Sequence, residues 1–214
     1  MSVIRDTIHL IKPHITGNSI PDQFILQKLE IIKTQADRIE KLREEFLRLN
    51  QNWESRVEKT NIHLLISKKG KELLQSFTDI TLIIDLIESI KNIKTDASAI
   101  NACLEILLRN SIDEFQKGQG NKELRVSLRP VDKSEIMYLG SSSAGLAIDV
   151  EDNGPGVPPE IKKDMFNLIR SSKAKGLGLG LVYCRKLARS AKGDVYYHEE
   201  FPNGAKFTLV FPYE

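Results

Sequence analysis

The amino-acid sequence predicts an α/β fold: a two-layer sandwich of mixed sheet and helices, preceded by an α-helical hairpin. Three observations predict it. The first fifty residues carry two apolar stripes of helical period around a turn cluster. From Lys59 onward short strand patterns alternate with helical ones, which gives a sheet with helices stacked on one face. Between Asp149 and Leu181, two glycine clusters sit where a strand ends and a helix begins. The expected division is therefore a hairpin over residues 1–58 and an α/β domain over residues 59–214.

In the hairpin, Ile4, Ile8, Ile11 and Ile15 form an amphipathic stripe, and Pro13 should kink or end that helix. Thr16-Gly17-Asn18-Ser19-Ile20-Pro21-Asp22 is a turn cluster. A long helix should follow to about Trp53. Its seam is Ile25, Leu29, Ile32, Ala36, Ile39, Phe46 and Trp53, interrupted by Arg43 and Asn50. A charged outer face with so long an apolar seam requires a partner helix, and coiled-coil dimerisation alone would satisfy that need.

In the second part, Lys59 to Ile62 reads as a short strand, Leu64 to Phe77 as a helix and Ile80 to Leu86 as a buried strand. Asp96 is a candidate N-cap for the helix that holds Leu104 to Glu114. Strands are expected at Leu124 to Leu128, Asp194 to His198 and Ala205 to Phe211, with a longer polar connection from Pro130 to Ser143.

The glycine clusters carry the chemistry. Leu146, Ile148 and Val150 alternate with Ala147, Asp149 and Glu151, so Asp152 points to the same face as the apolar row. A carboxylate aimed at a core needs hydrogen-bond donors, from a ligand or from its own Asp152-Asn153-Gly154-Pro155-Gly156 turn. Gly176-Leu177-Gly178-Leu179-Gly180-Leu181 opens into a helical pattern, where backbone N–H groups can approach an anion closely. The Rossmann spacing is not met, and no GxxxxGK[ST] occurs.

These motifs, with Phe166, Ser171-Ser172-Lys173 and the upstream Asn110-Ser111 pair, resemble the ATP site shared by gyrase, the ninety-kilodalton heat-shock chaperone, histidine kinases and MutL, the Bergerat-type fold. The downstream pattern Lys192-Gly193-Asp194-Val195, Asn203-Gly204-Ala205-Lys206-Phe207 and Phe211-Pro212 follows the histidine-kinase branch. The resemblance covers roughly residues 59 to 214. It implies ATP and Mg²⁺ as ligands, with Asn110 as the metal ligand and Asp152 as acceptor for the adenine exocyclic amine. Gly154 and Gly156 would let the chain lie flat against the base, and Lys173 would meet the terminal phosphate. Gly178 and Gly180 would offer N–H groups to the phosphates, with Leu181 closing the motif. Phe166 begins the lid, in a packing or a gating role. Lys175 could equally be a solvated charge, and Asn110 could instead brace a neighbouring loop.

Departures from the family shape the expected activity. The glutamate base of members that hydrolyse ATP directly would fall on Ile106, and Glu105 points about 140° away from Asn110. Direct attack by activated water is therefore disfavoured. The threonine expected after Gly204 is Ala205. The hairpin resembles the dimerisation element of histidine kinases, so a homodimer is implied, with His9 as phospho-acceptor and a response-regulator aspartate as the next. Leu10 stands where the family usually has the carboxylate that acts as general base, and Pro13 comes one position early. That departure leaves a nucleotide-dependent switch without phosphotransfer as the alternative. A serine kinase of the anti-sigma type shares the ATP site but lacks a preceding hairpin.

Composition limits the remaining classes. A net charge of +2 from 31 basic and 29 acidic side chains provides no nucleic-acid footprint. Cys103 and Cys184 lie in apolar helical patterns and read as buried, reduced thiols. No apolar run reaches the ~20 residues of a membrane helix, so the expectation is a cytoplasmic chain. No segment resembles a sensor, so the chain is either an excised fragment or takes its input from another protein.

Overall fold

A computed structural model describes residues 9, 23–50, 53–115, 120–132, 134–135, 137, 145–166 and 179–214. The chain divides into two units, residues 1–51 and 52–214.

In the first unit, helix α1 spans Gln23–Asn50. Ala36 is buried, while Ile32 and Ile39, one heptad apart on the seam, are 49% and 56% exposed. His9 is helical and exposed. The rest of the expected first helix and the turn cluster lie outside the described residues. The long helix ends at Asn50, short of the expected Trp53. Trp53 instead packs against the core of the second unit, and its indole N–H donates to Asp96 Oδ2 at 3.3 Å. An indole satisfies a coiled-coil seam and a globular core equally well by spacing, and the tertiary acceptor decides between them.

The second unit runs β1 (Glu58–Asn61), α2 (Ile62–Leu74), β2 (Ile80–Leu86), β3 (Asn92–Thr95), α3 (Ala97–Phe115), β4 (Lys122–Pro130), β5 (Gly145–Asp152), α4 (Pro159–Lys162), α5 (Leu179–Ser190), β6 (Asp194–Tyr197) and β7 (Ala205–Pro212). Five strands form one sheet in the order β2-β4-β5-β7-β6. The β2–β4 pair is parallel and the other three are antiparallel, so the sheet is mixed as expected. β1 and β3 make a separate antiparallel ribbon. β3 escapes sequence reading because Asn92-Ile93-Lys94-Thr95 offers one apolar residue and no run. Lys94 exchanges backbone hydrogen bonds with Glu214, which fastens the chain end to the ribbon.

Helices α2, α3 and α5 contribute to one core with the inward row Leu146, Ile148 and Val150 of β5. The opposite row packs separately: Ala147 and Val210 lie with Val131 and Tyr196. β5 is buried along both faces, which is what its central position requires.

Candidate nucleotide site

α3 starts at a side-chain cap. Asp96 Oδ1 accepts the Ala99 N–H at 2.9 Å, while Oδ2 takes the Arg56 N–H and the Trp53 indole. From there Leu104, Leu107, Leu108, Ser111 and Phe115 recur at three- and four-residue spacing on the buried face, and Asn110 stands half-buried beside them. Ser111 is thus a polar side chain carried inward by an apolar periodicity.

Its partner is Asp152, the last residue of β5, which is 7% exposed. Ser111 Oγ donates to Asp152 Oδ2 at 2.7 Å. The N–H of Gly154 donates to Oδ1 at 3.0 Å, and that of Ala205, directly opposite on β7, donates to Oδ1 at 3.3 Å. Burial nonetheless pushes the carboxyl above its ordinary value, and the charge of Glu114 adds to the rise. The turn thus supplies one donor of its own, as its sequence suggests, and two more come from other elements of the chain.

The loop that follows is held away from helical geometry by glycine. Gly156 has φ +76°, and a Cβ there would lie 2.9 Å from the carbonyl oxygen of Gly204. Gly204 has φ +98°, and a Cβ on it would collide with the carbonyl of Asp152. Gly154 lies against the Asp152 carboxylate, with Phe115 behind it. Asn153 turns the other way and fixes the loop to β4: its Oδ1 accepts the Glu123 N–H at 2.8 Å and its Nδ2 donates to the Asn121 carbonyl.

Gly180 and Leu181 fall in the first turn of α5, whose N–H groups have no intrahelical acceptor. α5 packs on α3. Ile106, one turn before Asn110, has its Cγ2 3.5 Å from where a Gly180 Cβ would be. One turn further along, Cys103 Sγ donates to the Cys184 carbonyl at 3.3 Å; both thiols are buried and free. Asn110, Asp152, Gly154, Gly156, Gly180 and Leu181 are thus placed on adjoining elements. Lys173 and Gly178, with Lys175 and Gly176, lie outside the described residues. His9 belongs to the other unit.

Phe166 packs between an aromatic ring and a guanidinium. Its ring meets Phe207 edge-on at 6.4 Å, and the Arg185 guanidinium lies 5.2 Å from its centroid. Arg185 is oriented by Asp194, whose Oδ1 accepts its Nε–H at 3.0 Å. Sequence reading assigned no role to Ser111 or Arg185. The Asn110-Ser111 pair was visible, but the carboxylate that Ser111 meets is 41 residues away.

Among the described residues no group of three or more His, Cys, Asp and Glu could hold a metal ion. A cation that arrives on nucleotide phosphates and keeps its waters needs no such cage.

Residues 95–214 match the family of histidine kinase-, DNA gyrase B- and HSP90-like ATPases. The chain belongs to this family. Membership makes the α/β unit an ATP-binding domain, and its relatives are histidine kinases. The chain is 26% identical over 220 residues to the sensory histidine kinase/phosphatase NtrB of Vibrio alginolyticus, covering 98% of this chain and 61% of that one. NtrB of Escherichia coli O157:H7 is 27% identical over 221 residues, with the same coverages. The chain therefore spans about three fifths of the length of these curated relatives. Among solved structures, histidine kinase ThkA in complex with response regulator TrrA aligns at TM-score 0.66 and 20% identity, over 99% of this chain and 57% of that one. The Acinetobacter baumannii histidine kinase AdeS aligns at 0.60 and 19%, over 99% and 93%. The fold of the ATPase family and that of histidine kinases are thus the same fold in this chain. No described helix is long and apolar enough to cross a membrane.

Proposed function

We propose that the protein is a histidine kinase that transfers the γ-phosphate of Mg·ATP to a histidine on its helical hairpin, and from there to a response-regulator aspartate. The observation that carries this reading is the convergence on one buried carboxylate. Asp152 takes donors from α3, from its own glycine turn and from β7.

In this reading Asp152 accepts from the adenine 6-amino group, and Gly154 and Gly156 border the base. Asn110 holds Mg²⁺, which neutralises phosphate charge when bound. The first turn of α5, with Gly180 and Leu181, faces the phosphates with N–H groups and a favourable dipole, and Gly178 and Lys173 extend that cradle. The chain's own contribution is positioning and charge stabilisation, since phosphoryl transfer needs no covalent step by this domain. His9, exposed and helical, is the acceptor. The exposed seam of α1 pairs two copies of the chain into a homodimer. ThkA solved with its response regulator and the NtrB relatives support the signalling role.

Incubation with γ-labelled ATP tests the reading. Acid-labile label on the chain, absent in His9→Gln, is expected. Adenine-specific binding without any label would instead establish the nucleotide switch, for which the Leu10 departure is the sequence sign. Acid-stable label on a second protein would establish the serine kinase.

A further inference from the structure

The two oxygens of Asp152 are treated unequally. Oδ1 accepts two backbone N–H groups, from Gly154 and Ala205, whereas Oδ2 accepts the Ser111 hydroxyl at 2.7 Å. An ionised carboxylate has about four acceptor directions, so among the described residues one is left over, on Oδ2 beside Ser111. Ser111 is itself 4% exposed, so its rotamer is fixed by packing as well as by this bond. Position 205, where the resemblance led to the expectation of a threonine hydroxyl, carries only a methyl group. α3 therefore supplies the side-chain hydroxyl that β7 lacks.

A serine hydroxyl has a single proton. With that proton committed to Asp152, Oγ presents only lone pairs to anything else, as does Oδ2. A purine with a 6-amino group finds acceptors there. A purine with a 6-oxo group finds two acceptors facing its own and no donor, the arrangement in which buried polar groups discriminate most sharply.

We propose that Ser111 is the positioning residue for adenine selectivity, orienting Oδ2 toward the 6-amino group and withholding its own proton from a 6-oxo group. The proposal rests on the reading of Asp152 as the adenine acceptor. Ser111 acts through Asp152, so the decisive measurement is one that a packing defect would not move.

Binding of ATP, GTP and purine riboside 5′-triphosphate, which has hydrogen at position 6, is measured by competition on the whole chain as wild type, Ser111→Ala and Ser111→Thr, with melting curves to establish folding. Wild type is expected to prefer ATP over both others. Ser111→Ala should lose ATP affinity by about tenfold, because an Oδ2 no longer held in place forfeits the bond of the 6-amino group to a charged acceptor. It should keep its affinity for purine riboside triphosphate within about twofold, since that ligand never uses the bond. Ser111→Thr, which keeps the hydroxyl, should keep the preference. Equal weakening of all three nucleotides in Ser111→Ala, or an undiminished ATP preference, overturns the role of Ser111 while leaving Asp152 as acceptor. A wild-type chain that binds ATP and purine riboside triphosphate equally overturns the Asp152 reading and the proposal together.

Discussion

Lys69 reaches across from α2 to Glu105 on α3, Nζ 3.0 Å from Oε2, with its own side chain only 8% exposed. Arg109 takes the other oxygen at 2.9 Å. Burial works to raise the Glu105 carboxyl, but the two cations outweigh it and hold the group below its ordinary value. The carboxylate nearest in sequence to the position of a hydrolytic base is thus ionised, paired and turned away from Asn110.

Basal ATP hydrolysis in the absence of an acceptor should accordingly be insensitive to Glu105→Gln. Ile106→Glu should behave differently, because Ile106 lies one turn before Asn110 and beside Gly180 at the start of α5. A carboxylate there can activate water near the phosphates. A well-placed general base contributes roughly 10²–10⁴-fold, so even an imperfect one should raise phosphate release by at least about tenfold. Coupled phosphate-release assays on folded variants measure this. An unchanged rate would mean that position 106 does not face the phosphates.

The backbone behind Asp152 gives a second expectation. Gly204 at φ +98° passes so close to the Asp152 carbonyl that any Cβ collides with main chain, whereas a Cβ on Gly156, at φ +76°, would lie 2.9 Å from the Gly204 carbonyl oxygen. Left-handed geometry alone costs a non-glycine residue about 1–3 kcal/mol, and backbone cannot swing aside as a flexible side chain can. Gly204→Ala should therefore destabilise the α/β unit by more than about 3 kcal/mol and Gly156→Ala by roughly 2 kcal/mol. Because Ala205 donates to Asp152, Gly204→Ala should also lose nucleotide binding. Denaturant titrations and nucleotide binding should rank the two variants in that order.

On the far face of the sheet, Arg129 bridges two buried carboxylates. It meets Asp149 at 2.9 and 3.1 Å and Glu135 at 2.7 Å through two nitrogens. Tyr196 also donates to Glu135, Thr208 and Lys206 face Asp149, and His198 bonds to Thr208. Burial works to raise both carboxyls, but Arg129 and the hydroxyl donors hold both below their ordinary values. A carboxyl depressed by folding stabilises the protein above its unfolded pKa of about 4 and loses that contribution as pH falls through the lower folded value. The melting temperature should therefore drop with acidification below about pH 4. Arg129→Met should flatten that dependence and, by leaving Glu135 without its cation and Asp149 with Lys206 alone, destabilise by about 3 kcal/mol at neutral pH. A pH series of melts on both proteins tests the sign.

How much of this was legible in the sequence follows from the range of the interactions involved. Period-two alternation located β5, and its inward row put Asp152 in the core, because side-chain direction in a strand is local. The Asp96 cap was legible for the same reason, with donor and acceptor three residues apart. Ser111, Arg129 and Trp53 were not. Their partners lie 41, 20 and 43 residues away, and helical or strand spacing does not reveal which distant carboxylate a polar side chain meets. β3 was missed because its pairing with β1 rests on backbone bonds between residues of little apolar character. The short helix α4, four residues set after Pro158, lacks the length for a periodic signal.

The seam of α1 carries the last expectation. Ile32 and Ile39 stand seven residues apart, each about half exposed, beside buried Ala36. A helix gains nothing by presenting branched aliphatic residues to water at heptad spacing, so a second copy of the chain is the proposed cover. Full burial of an isoleucine is worth about 1.5–3 kcal/mol, so covering the exposed half contributes roughly 1 kcal/mol per side chain. Two such residues on each of two protomers then supply about 4 kcal/mol, close to a thousandfold in dissociation constant. The double variant Ile32→Asp, Ile39→Asp should exceed that loss, because the introduced carboxylates would face one another across the interface. Sedimentation velocity should show dimers for the wild type and monomers for the variant. Nucleotide binding should be unchanged in the variant, since the ATP site is built within the other unit. A variant that still sediments as a dimer would place the dimer contact elsewhere than this seam.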